Sequence, residues 1–171
     1  YGHPKAKTPV IDRLAKEGVR FTQHYSNGTE CSPTRTALLT GRYPQWAGGL
    51  ECAIGTGNVG RYDDAILLAD RRQLGLPAEQ VVLPGELKKA GYVTGIFGKW
   101  HLGYEPHFNP IEHGWDEFFG YLGGNVHYFN HRETSDMHVL FRGRLPVHSE
   151  GYMTHLITKD STDFIARNKN K

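Results

Sequence analysis

Hydrophobic and polar positions change period several times along the chain, and each change predicts an element. In "TPVIDRLAKEG", Val10, Ile11, Leu14 and Ala15 fall on one face at helical spacing. Thr8 is placed to cap that helix, Pro9 suits its first position and Gly18 its end. "VRFTQHY", Val19 to Tyr25, then alternates as a strand does. After the polar "SNGTEC", Ser32 is the expected cap of a second helix, with Pro33 in its first turn and "TRTALLT" running to Gly41. "DDAILLADRRQLG" and "PGELKKAG" predict two further helices, the latter with Pro84 early and Gly91 as its stop. "VVL" (81–83) reads as a short strand, and "YVTGIF" as a buried strand that delivers "GKWHLG" at its carboxyl end. Residues 104–130 are loop-rich, aromatic and histidine-rich. "HVLFRGRLPV" predicts a hairpin turning near Arg142–Gly143. "MTHLITKDSTDFIARN" closes as an amphipathic helix with Met153, Leu156, Ile157, Phe164 and Ile165 inward.

Helices alternating with short buried strands predict an α/β fold, a mainly parallel sheet flanked by helices. The 171 residues suit one core. A net charge of +2 argues against a nucleic-acid binder, whose basic excess is larger and clustered. No apolar run is long enough to span a membrane, and no basic-then-apolar leader is visible. The chain begins at Tyr1 without a methionine and ends in the polar "ARNKNK", which reads as part of a longer protein. Cys31 and Cys52 allow one bridge but set no disulfide framework. Abundant glycine and ten histidines suit shaped loops around a polar site.

Two stretches carry candidate chemistry. With Ser32 as cap, Cys31 lies one residue outside the second helix, facing its positive end, where exposed amides favour an anion. Arg35, on the first turn, reaches back toward it. Both favour a thiolate, or a tetrahedral oxyanion bound beside it; the plainer alternative is a small buried cysteine and a surface arginine. A cysteine phosphatase places its arginine further on, after a glycine-containing loop, and "SPT" has no glycine. No papain-like or caspase-like signature surrounds Cys31. In an extended "GKWHLG", Lys99 and His101 project to one side and Trp100 to the other. They lie beyond the carboxyl end of a strand, where open α/β sheets bind ligands. The structural alternative is a solvent-facing lysine and a histidine satisfied by backbone.

"CSPTR", continued in register by "TALLTGRYP", and then "GYVTGIFGKWHLG" resemble the two signatures of the formylglycine-dependent (type I), arylsulfatase-like sulfatases of the alkaline phosphatase superfamily. "TPVIDRLAKEGVRFT" and "GWDEFFGYLGG" extend the resemblance over nearly the whole chain. It implies an alkaline-phosphatase-like α/β fold truncated at both ends. Residues 1–171 would be part of the N-terminal catalytic domain, without its first metal-binding strand or its C-terminal portion. The implied activity is hydrolysis of sulfate esters, of a sulfated carbohydrate or an aryl sulfate. A formylglycine-generating or other sulfatase-maturating enzyme would convert Cys31 to formylglycine, whose hydrate attacks sulfur. Arg35 would hold that hydrate, Lys99 would bind a sulfate oxygen, and His101 would assist deprotonation when sulfate leaves. A calcium ion (Ca2+) is implied, with Cys31 as formylglycine its one ligand here and the others outside the chain. A periplasmic, secreted or lysosomal location is also implied, and this span alone is expected to be inactive. A phosphonate or phosphate ester hydrolase of the same superfamily, and a non-catalytic binding module, stay open.

Other motifs point more weakly. Asn125 and His127 follow the "DEFFGYLGG" segment and are candidates for substrate contact. His127 and His131 have a zinc-compatible spacing, but the Gly-rich approach argues for a loop. "GTGNVG" (55–60) matches a dinucleotide fingerprint, yet no long buried strand leads into it, so it reads as a loop near the pocket mouth. The sequon Asn27-Gly28-Thr29 reads as a plain turn.

Overall fold

Two register-paired glycines, Gly98 and Gly120, let the central strands come unusually close. A Cβ on Gly120 would lie 1.9 Å from the Gly98 carbonyl oxygen. The computed structural model describes residues 3–47, 50, 53–55, 63–134 and 136–170. Strand β1 (Gly95–Lys99) runs parallel to β2 (Glu117–Tyr121). β2 pairs antiparallel with β3 (Leu140–Arg142), and β3 antiparallel with β4 (Leu145–Pro146). The helices are α1 (Pro9–Glu17), α2 (Cys31–Thr40), α3 (Asp63–Asp70), α4 (Leu83–Lys89) and α5 (Met153–Asn168).

The α/β class is as expected. The sheet itself is mixed, because residues 100–116 form a crossover long enough for a parallel return, whereas β3 and β4 are joined by the predicted tight hairpin. Gly143, at φ +57, makes that turn.

Alternation along β2 separates two cores. Phe118 joins Trp100, Leu102, Leu122, Leu76 and Val82 on one face. Phe119 joins Leu140 and Met153 on the other, where Leu156 and Ile157 of α5 pack. Phe97 and Phe164 meet there with ring centroids 5.4 Å apart. Burying an aromatic such as Phe119 contributes roughly 1.5–3 kcal/mol, so these faces fix the register of β2.

Several expectations are corrected. Val19–Tyr25 alternates but forms no strand, and Val19, Phe21 and Tyr25 stay exposed. Alternation makes a strand only when a neighbouring backbone accepts the ladder, and none does here among the described residues. "VVL" is not a strand either, because Leu83 opens α4 and Pro84 follows it. β1 starts at Gly95, since the Thr94 amide and hydroxyl bond the Asp116 carboxylate instead (2.9 and 3.0 Å). On α5, Ile165 points outward while Phe164 packs inward. The predicted face of α1 forms, but Val10, Ile11 and Leu14 remain more than half exposed. No described helix is long and apolar enough to cross a membrane.

Candidate active site

The site begins where α2 begins. Glu30 is its extended flanking residue, and Cys31 is its first helical residue, one position further in than expected. Ser32 is not the cap. Its wholly buried hydroxyl donates to the His101 carbonyl (2.9 Å) and accepts from the Ile54 amide (3.1 Å). It therefore bolts the start of α2 to the segment after β1, a tie across 69 positions that local patterning cannot show.

Two cations converge there. Lys99, the last residue of β1, directs Nζ to Cys31 Sγ at 3.1 Å. Arg35, one turn into α2, donates from a guanidinium nitrogen to the Lys99 carbonyl at 2.7 Å. Burial lowers the Arg35 pKa, while negative charge at Cys31 and then Tyr121 raises it. An arginine remains protonated under such influences. Cys31 itself is a free, exposed thiol.

His101 is where the extended-strand expectation fails. The chain leaves β1 at Lys99, and the amides of Trp100 and His101 donate in succession to Tyr121 and Leu122. His101 sits at φ +58, in the left-handed region, so it does not share a strand face with Lys99. Its imidazole is buried, with Nε2 against the Ile54 carbonyl. A carbonyl accepts, so Nε2 carries the hydrogen and Nδ1 is the bare nitrogen. Nδ1 is buried without a partner among the described residues. Burial chiefly, then the charges of Lys99 and Arg35, depress its pKa to about 4 against the opposing Ile54 bond. The four residues are thus gathered, with His101 reaching the charges of Lys99 and Arg35 by a turn instead of a strand.

Asn125 and His127 lie on an exposed loop lining a cavity of about 600 Å³ together with Asn130, Arg132 and Glu133. Asn125 Oδ1 accepts from Thr134, and His127 Nδ1 accepts from the amides of Phe129 and Asn130. Neither hydrogen-bonds Cys31, Arg35, Lys99 or His101. His131 turns its ring to the Gly151 carbonyl, away from a shared metal site with His127. Gly28 forms the expected turn, its carbonyl accepting from Ser26 and Thr34. Cys52 and most of "GTGNVG" lie outside the described residues.

Among the described residues, no three His, Cys, Asp or Glu side chains converge as a metal site. The groups beside Cys31 are cations, so these residues do not by themselves fit a divalent ion. Sequence reasoning also missed Tyr104 and Glu133, which meet at 2.8 Å beneath the loop. The adjacent Gly123-Gly124 was the available signal for a close approach.

The profile of the family described as Sulfatase matches residues 1–171. The chain is 36% identical to N-acetylgalactosamine-6-sulfatase of Homo sapiens over 98% of its own length and 33% of that protein. It is 42% identical to arylsulfatase A of Bos taurus over 70% of this chain and 21% of that protein. The crystal structure of Ps i-CgsB in complex with k-i-k-neocarrahexaose superposes with a TM-score of 0.78 at 28% identity, covering 96% of this chain and 37% of that one. The chain spans about a third of the length of the first of these relatives.

Proposed function

The chain belongs to the sulfatase family, and on that premise we propose that the protein containing it hydrolyses sulfate esters at Cys31. One observation carries the reading: Lys99 and Arg35 are locked to each other and to the start of α2, with Lys99 Nζ 3.1 Å from the Cys31 side chain. Two fixed cations beside one side chain suit an anionic group being attacked there.

A maturation enzyme would oxidise Cys31 to formylglycine, and one hydroxyl of its hydrate attacks sulfur as the substrate's alcohol leaves. The sulfated diol then loses the proton of its second hydroxyl and collapses to the aldehyde, breaking its C–O bond and releasing sulfate, which a plain ester intermediate cannot do. Lys99 binds a sulfate oxygen and offsets charge growing on it. Arg35 holds the Lys99 backbone in place and adds a second positive charge. His101, neutral with Nδ1 bare, accepts the proton given up when sulfate leaves. A calcium ion belongs to the proposal only with ligands from outside this span, and no step here runs through it.

The substrate class we favour is a sulfated carbohydrate, supported by the likeness to N-acetylgalactosamine-6-sulfatase and to the neocarrahexaose complex. Asn125 and His127 are proposed to touch its outer part. A periplasmic, secreted or lysosomal setting accompanies this reading. The test compares turnover of aryl sulfate and aryl phosphate by the matured full-length protein. Faster sulfate turnover is expected. A preference for phosphate would move the assignment to phosphoester or phosphonate hydrolysis, and no turnover of either would leave a binding module.

A further inference from the structure

The buried Glu133 carboxylate lies close to the loop that covers His101 but touches neither Cys31 nor its cations. Its Oε1 accepts from the Tyr104 hydroxyl (2.8 Å) and from the Gly124 amide (3.1 Å). Its Oε2 is buried with no partner among the described residues. Both donors bear on His101. Tyr104 stands three residues after it, on the same strand exit. Gly124 lies on the imidazole itself: a Cβ there would sit 2.8 Å from His101 Cε1 and 2.9 Å from Nε2. The preceding Gly123 is equally confined, since a Cβ would lie 2.5 Å from Glu133 Oε1. The His101 amide donates to the Leu122 carbonyl just before that pair (3.1 Å).

We propose that Glu133 and Tyr104 are positioning residues for His101: one carboxylate oxygen ties the Gly123–Gly124 turn to the chain leaving the second signature, and clamps the imidazole between that turn and the Ile54 carbonyl. The clamp fixes the ring so that Nε2–H keeps its carbonyl partner and Nδ1 stays the open acceptor. A buried carboxylate is costly unless hydrogen-bonded, so its retention with two donors on one oxygen calls for a role. Burial chiefly, and then Glu133, raise the Tyr104 pKa, which keeps its hydroxyl a donor at all working pH values. The role of His101 that is served here rests on the sulfatase reading; the clamping of its ring does not.

The test uses the matured full-length protein and three variants, Glu133→Ala, Glu133→Gln and Tyr104→Phe, with Thr94→Ala at the far end of β1 as a control for general destabilisation. Two readouts are taken: the ¹⁵N shifts of the His101 ring nitrogens, and kcat and KM on an aryl sulfate. In the parent, His101 is a single Nε2–H tautomer. In Tyr104→Phe and Glu133→Ala the tautomers mix, and kcat falls roughly tenfold to a hundredfold with KM little changed. Glu133→Gln, which keeps an acceptor, retains most of both properties. Tyr104→Phe removes one hydroxyl and carries the test if Glu133→Ala does not fold. Unchanged His101 shifts in the folded variants, or equal effects in Thr94→Ala, would overturn the clamp. A parent without sulfatase turnover whose variants still mix tautomers would overturn the catalytic reading and leave the clamp standing.

Discussion

Lys99 is held before any substrate arrives, by the sheet on its backbone and by Arg35 on its carbonyl. A cation fixed in this way is worth more to a developing negative charge than a free surface lysine, which must be ordered first. Lys99→Ala is therefore expected to lower kcat/KM on a sulfate ester by roughly 10²- to 10³-fold in steady-state assays of the full-length protein. Arg35→Lys tests the lock separately. A lysine keeps the charge but not the planar donor set that reaches the Lys99 carbonyl, so kcat should drop with the charge conserved. Wild-type kcat in Arg35→Lys would show that the lock is dispensable.

At the scale of elements, the signatures of α2 and β1 announced which residues would meet, and terminal residues set most boundaries. Pro9, Gly18, Gly41, Pro84 and Gly91 all mark ends close to those observed. Several of the failures turn on contacts, or missing contacts, between distant segments. The local pattern makes Ser32 a cap, whereas its hydroxyl serves His101 and Ile54. Strand geometry puts His101 on the face of Lys99, whereas the chain leaving β1 turns through a left-handed residue at His101. Val19–Tyr25 has a strand's pattern without a partner backbone. The β1–β2 approach gives a direct prediction. Gly120→Ala places a Cβ 1.9 Å from the Gly98 oxygen, so the strands must separate. The unfolding midpoint should fall by an amount matching about 1–3 kcal/mol or more, as in overpacked cores. Because Gly98 immediately precedes Lys99, turnover should fall with it. Denaturant titration beside the activity assay checks both.

For the whole molecule, two buried histidines set a pH dependence. His101 and His113 are each depressed from 6.5 to about 4, chiefly by burial. Between those values the unfolded chain binds protons that the folded chain refuses, so stability rises with pH there and is lost as pH falls from about 6.5 toward about 4. Both His113 ring nitrogens lack partners among the described residues, and the ring lies 5.6 Å from Trp100. His113→Leu should flatten this slope when denaturant midpoints are measured across that range. An unchanged slope would assign the effect elsewhere. At the same scale, the described residues contain no metal-ligand cluster, so the 171-residue span alone is expected to show no turnover of aryl sulfate.

The fate of Cys31 decides most. Lys99 against it and Arg35 beside it would stabilise a thiolate as well as an oxygen nucleophile, so the chemical state of this side chain separates the two mechanisms. Mass spectrometry of the peptide carrying Cys31, taken from full-length protein produced together with a sulfatase-maturating enzyme, reads this directly. The expected result is an aldehyde in place of the thiol, with sulfate-ester turnover rising in proportion to the modified fraction. An unmodified thiol in protein that hydrolyses sulfate esters would contradict the mechanism.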